Sequence, residues 1–168
     1  MAEGASPQLA QINVARPLHP AHDPRLDEFT GAIARITALA KRSPGFVWQY
    51  ETADGHFPTS DLLGDPPVIF NLSVWATYQD LHDFTYRSRH GHYLRRRAQW
   101  FAPLPPPATA LWWVPEGRRP TVEEAVARLG HLRRHGPTPQ AFTVRRRFTA
   151  DGRPDVPQES GRAGAAGP

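Results

Sequence analysis

From residue 9 the chain alternates: in "LAQINVARP" (9–17), Leu9, Gln11 and Asn13 take one side and Ala10, Ile12 and Val14 the other. A period of two with one wholly apolar side predicts a half-buried β-strand, ended by Pro17. After "LHPAH" the period changes. Asp23 followed by Pro24 predicts a helix start, an acidic cap and then a proline where no N–H is needed. Leu26, Phe29, Ile33, Ile36 and Ala40 recur at three- and four-residue spacing as the buried stripe of that helix, which Pro44 and Gly45 stop. "FVWQYE" (46–51) places Phe46, Trp48 and Tyr50 on one side and predicts a second strand.

Turn signals crowd residues 52–67, "TADGHFPTSDLLGDPP", which predict a loop long enough to rim a pocket. "VIFNLSVW" (68–75) is the next strand, with Val68, Phe70, Leu72 and Val74 on one face and Ile69, Asn71, Ser73 and Trp75 on the other. Helical spacing begins near Thr77 with Tyr78, Leu81 and Phe84 and resumes through Tyr86, His90, Tyr93, Leu94, Arg97 and Phe101, with Gly91 able to kink or divide it. "APLPPP" (102–107) ends it, and "ATALWWVP" (108–115) predicts a fourth strand. Thr121 and Glu124 have capping-box spacing, and Val122, Ala125, Val126, Leu129 and Leu132 form the stripe of a helix closed by Gly136 and Pro137. "AFTVRRRF" (141–148) predicts a last strand. Residues 1–8 are expected to be flexible, 9–148 to form one domain, and 149–168, rich in Gly, Pro and charge, to be a disordered tail.

The first six elements run β-α-β-β-α-β, which predicts an α+β, ferredoxin-like domain: an antiparallel sheet with helices on one face, followed by an extra C-terminal helix and strand. The strands are rich in Trp and Phe, so the sheet's other face is expected to be covered by a second subunit, making a homodimer.

Composition narrows the chemistry. A chain of 168 residues, 39% hydrophobic, suits one domain with a real core. There is no cysteine, which removes disulfides, thiolate metal sites and a cysteine nucleophile. A net charge of +4 and a pI near 10.1 raise a nucleic-acid reading. Yet Lys41 is the one lysine among twenty basic residues, so the arginine excess follows GC-rich codon usage along with Ala, Gly and Pro. "LRRRAQ" (94–99) and "VRRRF" (144–148) lie in amphipathic elements whose basic side is expected to be solvated. No nucleic-acid partner is expected. No apolar run reaches the roughly 18 residues of a membrane span and no secretion signal opens the chain, so a cytoplasmic protein without membrane contact is expected. Nucleophile elbow, phosphate-cradling loop and dinucleotide fingerprint are all missing.

Asn71 and Ser73 are polar groups on a strand face otherwise made by Ile69 and Trp75, a mixture that suits a ligand wall. Tyr86, His90 and Arg97 fall on nearly one helical face, where His90 suits a general base, Tyr86 an orienting hydroxyl, and Arg97 or Arg87 a holder of anionic charge. Trp48 and Trp112 complete the aromatic candidates for substrate contact. His82 and His90 are about 12 Å apart along a continuous helix and cannot share one metal. His131 and His135 have ligand spacing, but beside "RR" at a helix end they read as basic groups favoured by the dipole. No metal site is expected.

"SVWATYQDLHDFTYRSRH" resembles the strand-to-helix segment of the dimeric α/β-barrel proteins typified by the antibiotic-biosynthesis monooxygenases. "LAQINVARP", "SPGFVW", "FNLSVW", "DFTYRSRH", "RRRAQWF", "LWWVPEGRRPTVEEAVARL" and "GPTPQAFTVR" together resemble one small bacterial family of that superfamily, over about residues 9–147. The resemblance implies a homodimer whose sheets close into a barrel, with a pocket in each subunit between sheet and helices. It also implies that Asn71 and Trp75, four residues apart, line that pocket as in the cofactor-independent quinone-forming enzymes. Asn71, Trp75 and His90 are thus the expected catalytic residues, with Ser73, Tyr86, Arg87, Arg97, Trp48 and Trp112 as substrate contacts. The expected function is a monooxygenase-like oxidoreductase acting on a small aromatic or polyketide-type molecule without cofactor. Haem-using relatives imply an alternative, haem on His82 or His90; a dimer that binds a small molecule without converting it is the other.

Overall fold

A computed structural model describes residues 5–20, 23–87 and 97–156. β1 (Gln8–Pro17) is the central strand, antiparallel on one side to β4 (Val68–Trp75) and on the other to β6 (Thr109–Val114). β2 (Phe46–Gln49) and the short β3 (Thr59–Ser60) both lie against β4, while β5 (Phe101–Ala102) pairs with the end of β1. The main order is therefore β2-β4-β1-β6, in an open antiparallel sheet of an α+β protein.

Local chemistry fixes the helices. Asp23 accepts the backbone N–H of Arg25 at 2.9 Å and, with Pro24, starts a 3-10 turn (Pro24–Leu26) that passes into α1 (Asp27–Lys41). Beyond α1, Gly45 holds φ +73°, and a Cβ there would collide with the Asp80 side chain. α2 (Tyr78–Arg87) is capped by Thr77, whose Oγ1 accepts from Asp80 N at 3.1 Å. α3 (Val122–His135) is capped by Thr121, whose hydroxyl accepts from Glu124 N at 3.1 Å. Only half of the expected capping box forms, because the Glu124 carboxylate turns instead to Arg118 at 2.8 Å.

The two faces of the sheet hold different cores. On one, Ala10, Ile12, Val14, Phe70, Leu72, Val74, Ala110, Trp112 and Val114 pack with Ala125, Leu129 and Leu132 of α3. On the other, Leu9, Trp75 and Leu111 pack with Ile36, Leu39 and Ala40 of α1, Leu81 and Phe84 of α2, and Phe142 and Phe148 from the C-terminal segment. Each large side chain so buried stabilises by about 1.5–3 kcal/mol. Helices thus cover both faces. The face expected to await a second subunit is closed within the chain by α3, with Trp48, Tyr50, Leu63 and Leu104 packed against the same cluster. Helical periodicity predicts that α3 has a buried stripe, but carries no information about which side of the sheet receives it.

Three further expectations are corrected. Residues 141–148 are not one strand: Ala141 and Phe142 are both buried, against any period of two, and only an isolated bridge joins Phe142 to Leu111. A turn follows in which Thr143 Oγ1 accepts from Arg146 N at 3.1 Å. Then β7 (Arg147–Phe148) pairs with β8 (Pro154–Asp155), so 149–156, expected to begin the tail, is a turn and a return strand. That hairpin is anchored by Trp113, whose indole N–H donates to Phe148 O at 2.7 Å, and by Arg147, which lies 4.0 Å over the Tyr78 ring. The long helix expected through Phe101 also ends earlier, since Phe101 belongs to β5. Among the described residues no helix is long and apolar enough to cross a membrane.

Candidate functional site

The register of β1, β4 and β6 aligns polar side chains into rows on the face covered by α1 and α2. Gln11 is opposite Ser73, and Gln49 of β2 is opposite Ser73 on its other side. One step along, Asn71, Asn13 and Thr109 lie across three strands. Facing residues of an antiparallel pair share a side, so these rows form a belt of amides and hydroxyls.

Aromatic clusters bound the belt. At the Leu9 end, Trp75 stacks on Phe84 at 5.0 Å and meets Phe46 edge-on at 5.5 Å. At the other end of β1, where Pro17 pairs with Phe101, Phe29 of α1 touches Phe101 (4.7 Å, edge-on), Phe57 (5.8 Å) and Trp100 (5.8 Å). α1 starts beside one cluster and ends beside the other, so the belt lies between them.

Within the belt Ser73, Gln11, Asn13 and Thr109 bond to one another or to Trp75. Ser73 Oγ accepts from Gln11 Nε2 at 3.1 Å and from Trp75 Nε1 at 3.0 Å. Ser73 is 2% exposed and Trp75 1%. These contacts close both residues to a guest, so their burial is structural and the expected chamber around all of 69, 71, 73 and 75 is absent at this end. Asn13 Nδ2 donates to Thr109 Oγ1 at 2.7 Å. Asn71 differs: its Oδ1 is buried with no hydrogen-bond partner among the described residues. A buried acceptor left unpaired costs about 1–3 kcal/mol. A hydroxyl or amide N–H from a ligand would recover it.

The other sequence-predicted residues do not converge on Asn71. Trp112 is fully buried on the opposite face under α3, its indole N–H without a partner among the described residues, and Trp48 packs on that same side. Tyr86 is 52% exposed on α2, its ring 4.8 Å from that of His82, which lies 5.8 Å from Tyr78 on its other side. His90 and the side chains of Arg87 and Arg97 lie outside the described residues. His131 accepts or donates at Thr138 Oγ1 (3.0 Å), and its ring is 4.6 Å from His135. Partial burial, then His135, Arg134 and Arg128, hold its pKa below the usual imidazole value. Among the described residues no group of three or more His, Asp or Glu side chains could hold a metal ion.

Gln11, Asn13, Gln49 and Thr109 were not foreseen. Gln11 and Asn13 looked like the wet side of a half-buried strand, because alternation cannot tell a solvated polar face from one covered by helices. The available signal was a coincidence between strands: polar residues at alternate positions of both β1 (Gln11, Asn13) and β4 (Asn71, Ser73), set among apolar neighbours.

The sequence signature of a family described as a domain of unknown function, DUF3291, matches residues 8–158. No curated protein and no solved structure matches the chain significantly.

Proposed function

Starting from the DUF3291 family, to which this chain belongs, we propose a small-molecule-binding protein with monooxygenase-like chemistry on a hydroxylated aromatic substrate. The observation that carries this reading is the Oδ1 of Asn71, a buried acceptor without a partner among the described residues, held between two aromatic clusters in a belt where Ser73 and Thr109 are already engaged. A phenolic hydroxyl donates there while its ring meets apolar walls, the usual division of labour in a ligand site. In the reaction the deprotonated ring supplies electrons to dioxygen; one oxygen atom enters the ring, the other leaves as water, and the phenol becomes a quinone. Asn71 binds and orients the substrate oxygen, and His90 is the proposed base. The strand order β2-β4-β1-β6, with α1 and α2 on one face, supports a ferredoxin-like relative of the dimeric α/β-barrel proteins. The reading includes no resident cofactor and a homodimer joined by a surface other than the sheet face that α3 covers.

Oxygen uptake with a panel of mono- and dihydric phenols tests the chemistry. Wild type is expected to consume oxygen with at least one phenol, and Asn71→Ala to lose about tenfold or more, the worth of one buried hydrogen bond at the reacting oxygen. Equal rates in the two proteins would remove Asn71 from the site. Light scattering is expected to give twice the chain mass of 18.8 kDa; a monomer at micromolar concentration would refute the dimer.

A further inference from the structure

While Ala125, Leu129 and Leu132 of α3 pack on the sheet, the outer side of the helix borders a surface hollow of about 650 Å³, lined by Glu124, Ala127, Arg128, His131, Arg134 and Gln140. The turn after α3 supplies its far wall and is tied to the helix twice. Arg128 Nη1 donates to Gln140 O at 2.8 Å, and His131 Nε2 shares a 3.0 Å hydrogen bond with Thr138 Oγ1. The two ends of the hollow differ in chemistry. At one, Glu124 Oε2 accepts from Arg118 at 2.8 Å, whereas its Oε1 is buried, 3.6 Å from Arg128 Nη2 and without a hydrogen-bond partner among the described residues. At the other, Arg134 is exposed and forms no ion pair or hydrogen bond among the described residues. His131 stands between them, held below its usual pKa by partial burial and then by His135, Arg134 and Arg128, so the field around its ring is positive.

We propose that this hollow is a second ligand site, for a small phosphorylated polyol of the sugar-phosphate class whose phosphate takes Arg134 and His131 and whose hydroxyl donates to Glu124 Oε1. Guanidinium and imidazole N–H groups suit phosphate oxygens, and a buried carboxylate oxygen asks for a donor. About 10 Å of helix rise separates Glu124 from His131, so the ligand carries its two kinds of group apart. An acceptor-only carboxylate offers nothing to a ligand that is anionic throughout, which sets nucleic acid aside. The volume is within the range of small-molecule sites. No residue of the Asn71 belt lines the hollow, so it stands or falls independently of the proposed monooxygenase chemistry.

Calorimetric titration of the full chain at low ionic strength with glucose 6-phosphate, glucose and inorganic phosphate tests it. Wild type is expected to bind glucose 6-phosphate saturably and the other two about tenfold or more weakly, since each offers only one end of the ligand. Arg134→Gln, at an exposed position that leaves the packing of α3 intact, is expected to bind glucose 6-phosphate about tenfold or more weakly. The His131 ring followed by NMR gives a second readout: glucose 6-phosphate should raise its pKa in wild type and not in Arg134→Gln. No saturable binding by wild type at millimolar glucose 6-phosphate, equal affinity for inorganic phosphate, or an affinity unchanged by Arg134→Gln overturns the proposal.

Discussion

The two faces of one sheet are built from the same strands and end up as different materials. Under α3 the described side chains of β1 and β4 on that face, from Ala10 to Val14 and Val68 to Val74, are hydrocarbon, and the Trp112 indole N–H is buried there without a partner among the described residues. Under α1 and α2, two aromatic clusters are separated by Gln11, Asn13, Asn71 and Ser73. The first face is a core that any volume-conserving hydrophobic set would satisfy. The second makes directional demands, because each buried amide needs a partner, and the Asn71 Oδ1 has none among the described residues.

Substitutions on the α3 face break the comparison most strongly. Trp112→Ala is expected to destabilise by about 3–5 kcal/mol through the cavity it leaves, read by chemical denaturation. Ser73→Ala removes a single oxygen yet strands two buried donors, on Gln11 and Trp75; a loss of about 2–4 kcal/mol is expected. Had Ser73 faced a ligand, the loss would be small. Thr121→Ala removes the cap of α3 and should cost about 1 kcal/mol in the same assay.

The smallest effect is a pH dependence on the outer side of α3. His131 has a folded-state pKa below its unfolded value near 6.5, so the unfolded chain binds the proton more readily. Stability is therefore unaffected above about pH 6.5 and falls as pH drops below it toward the lower, folded-state pKa. His131→Gln should flatten that part of a melting-temperature profile; an unchanged slope would show that His131 is not its source.

Much of this architecture is legible in residue order, and the reason is local. Alternation from Val68 to Trp75 marks β4 to the residue, and Thr121 with its three- and four-residue stripe marks α3 from cap to Gly136. What is not legible is relational. No pattern within α3 says which face it covers, and no pattern within β1 says that Gln11 and Asn13 meet Ser73 and Thr109 rather than water. The apparent strand at 141–148 failed because consecutive basic residues mimic an exposed edge while a Thr143 turn interrupts the backbone. Of the candidate site, Asn71 was visible as an amide on an aromatic strand face. Trp75 and Ser73 were visible for the same reason and prove to be engaged with each other.

Ligand-induced thermal stabilisation of wild type and Asn71→Leu tests the account at its centre. With no ligand, Asn71→Leu should melt at the same or a higher temperature, since it removes an unpaired acceptor and leaves no donor stranded. With a phenol at saturating concentration the wild type should gain several degrees and Asn71→Leu should not. A clear loss of stability in Asn71→Leu without ligand, or equal gains in both proteins with it, would contradict the claim that Asn71 holds its acceptor open for a guest.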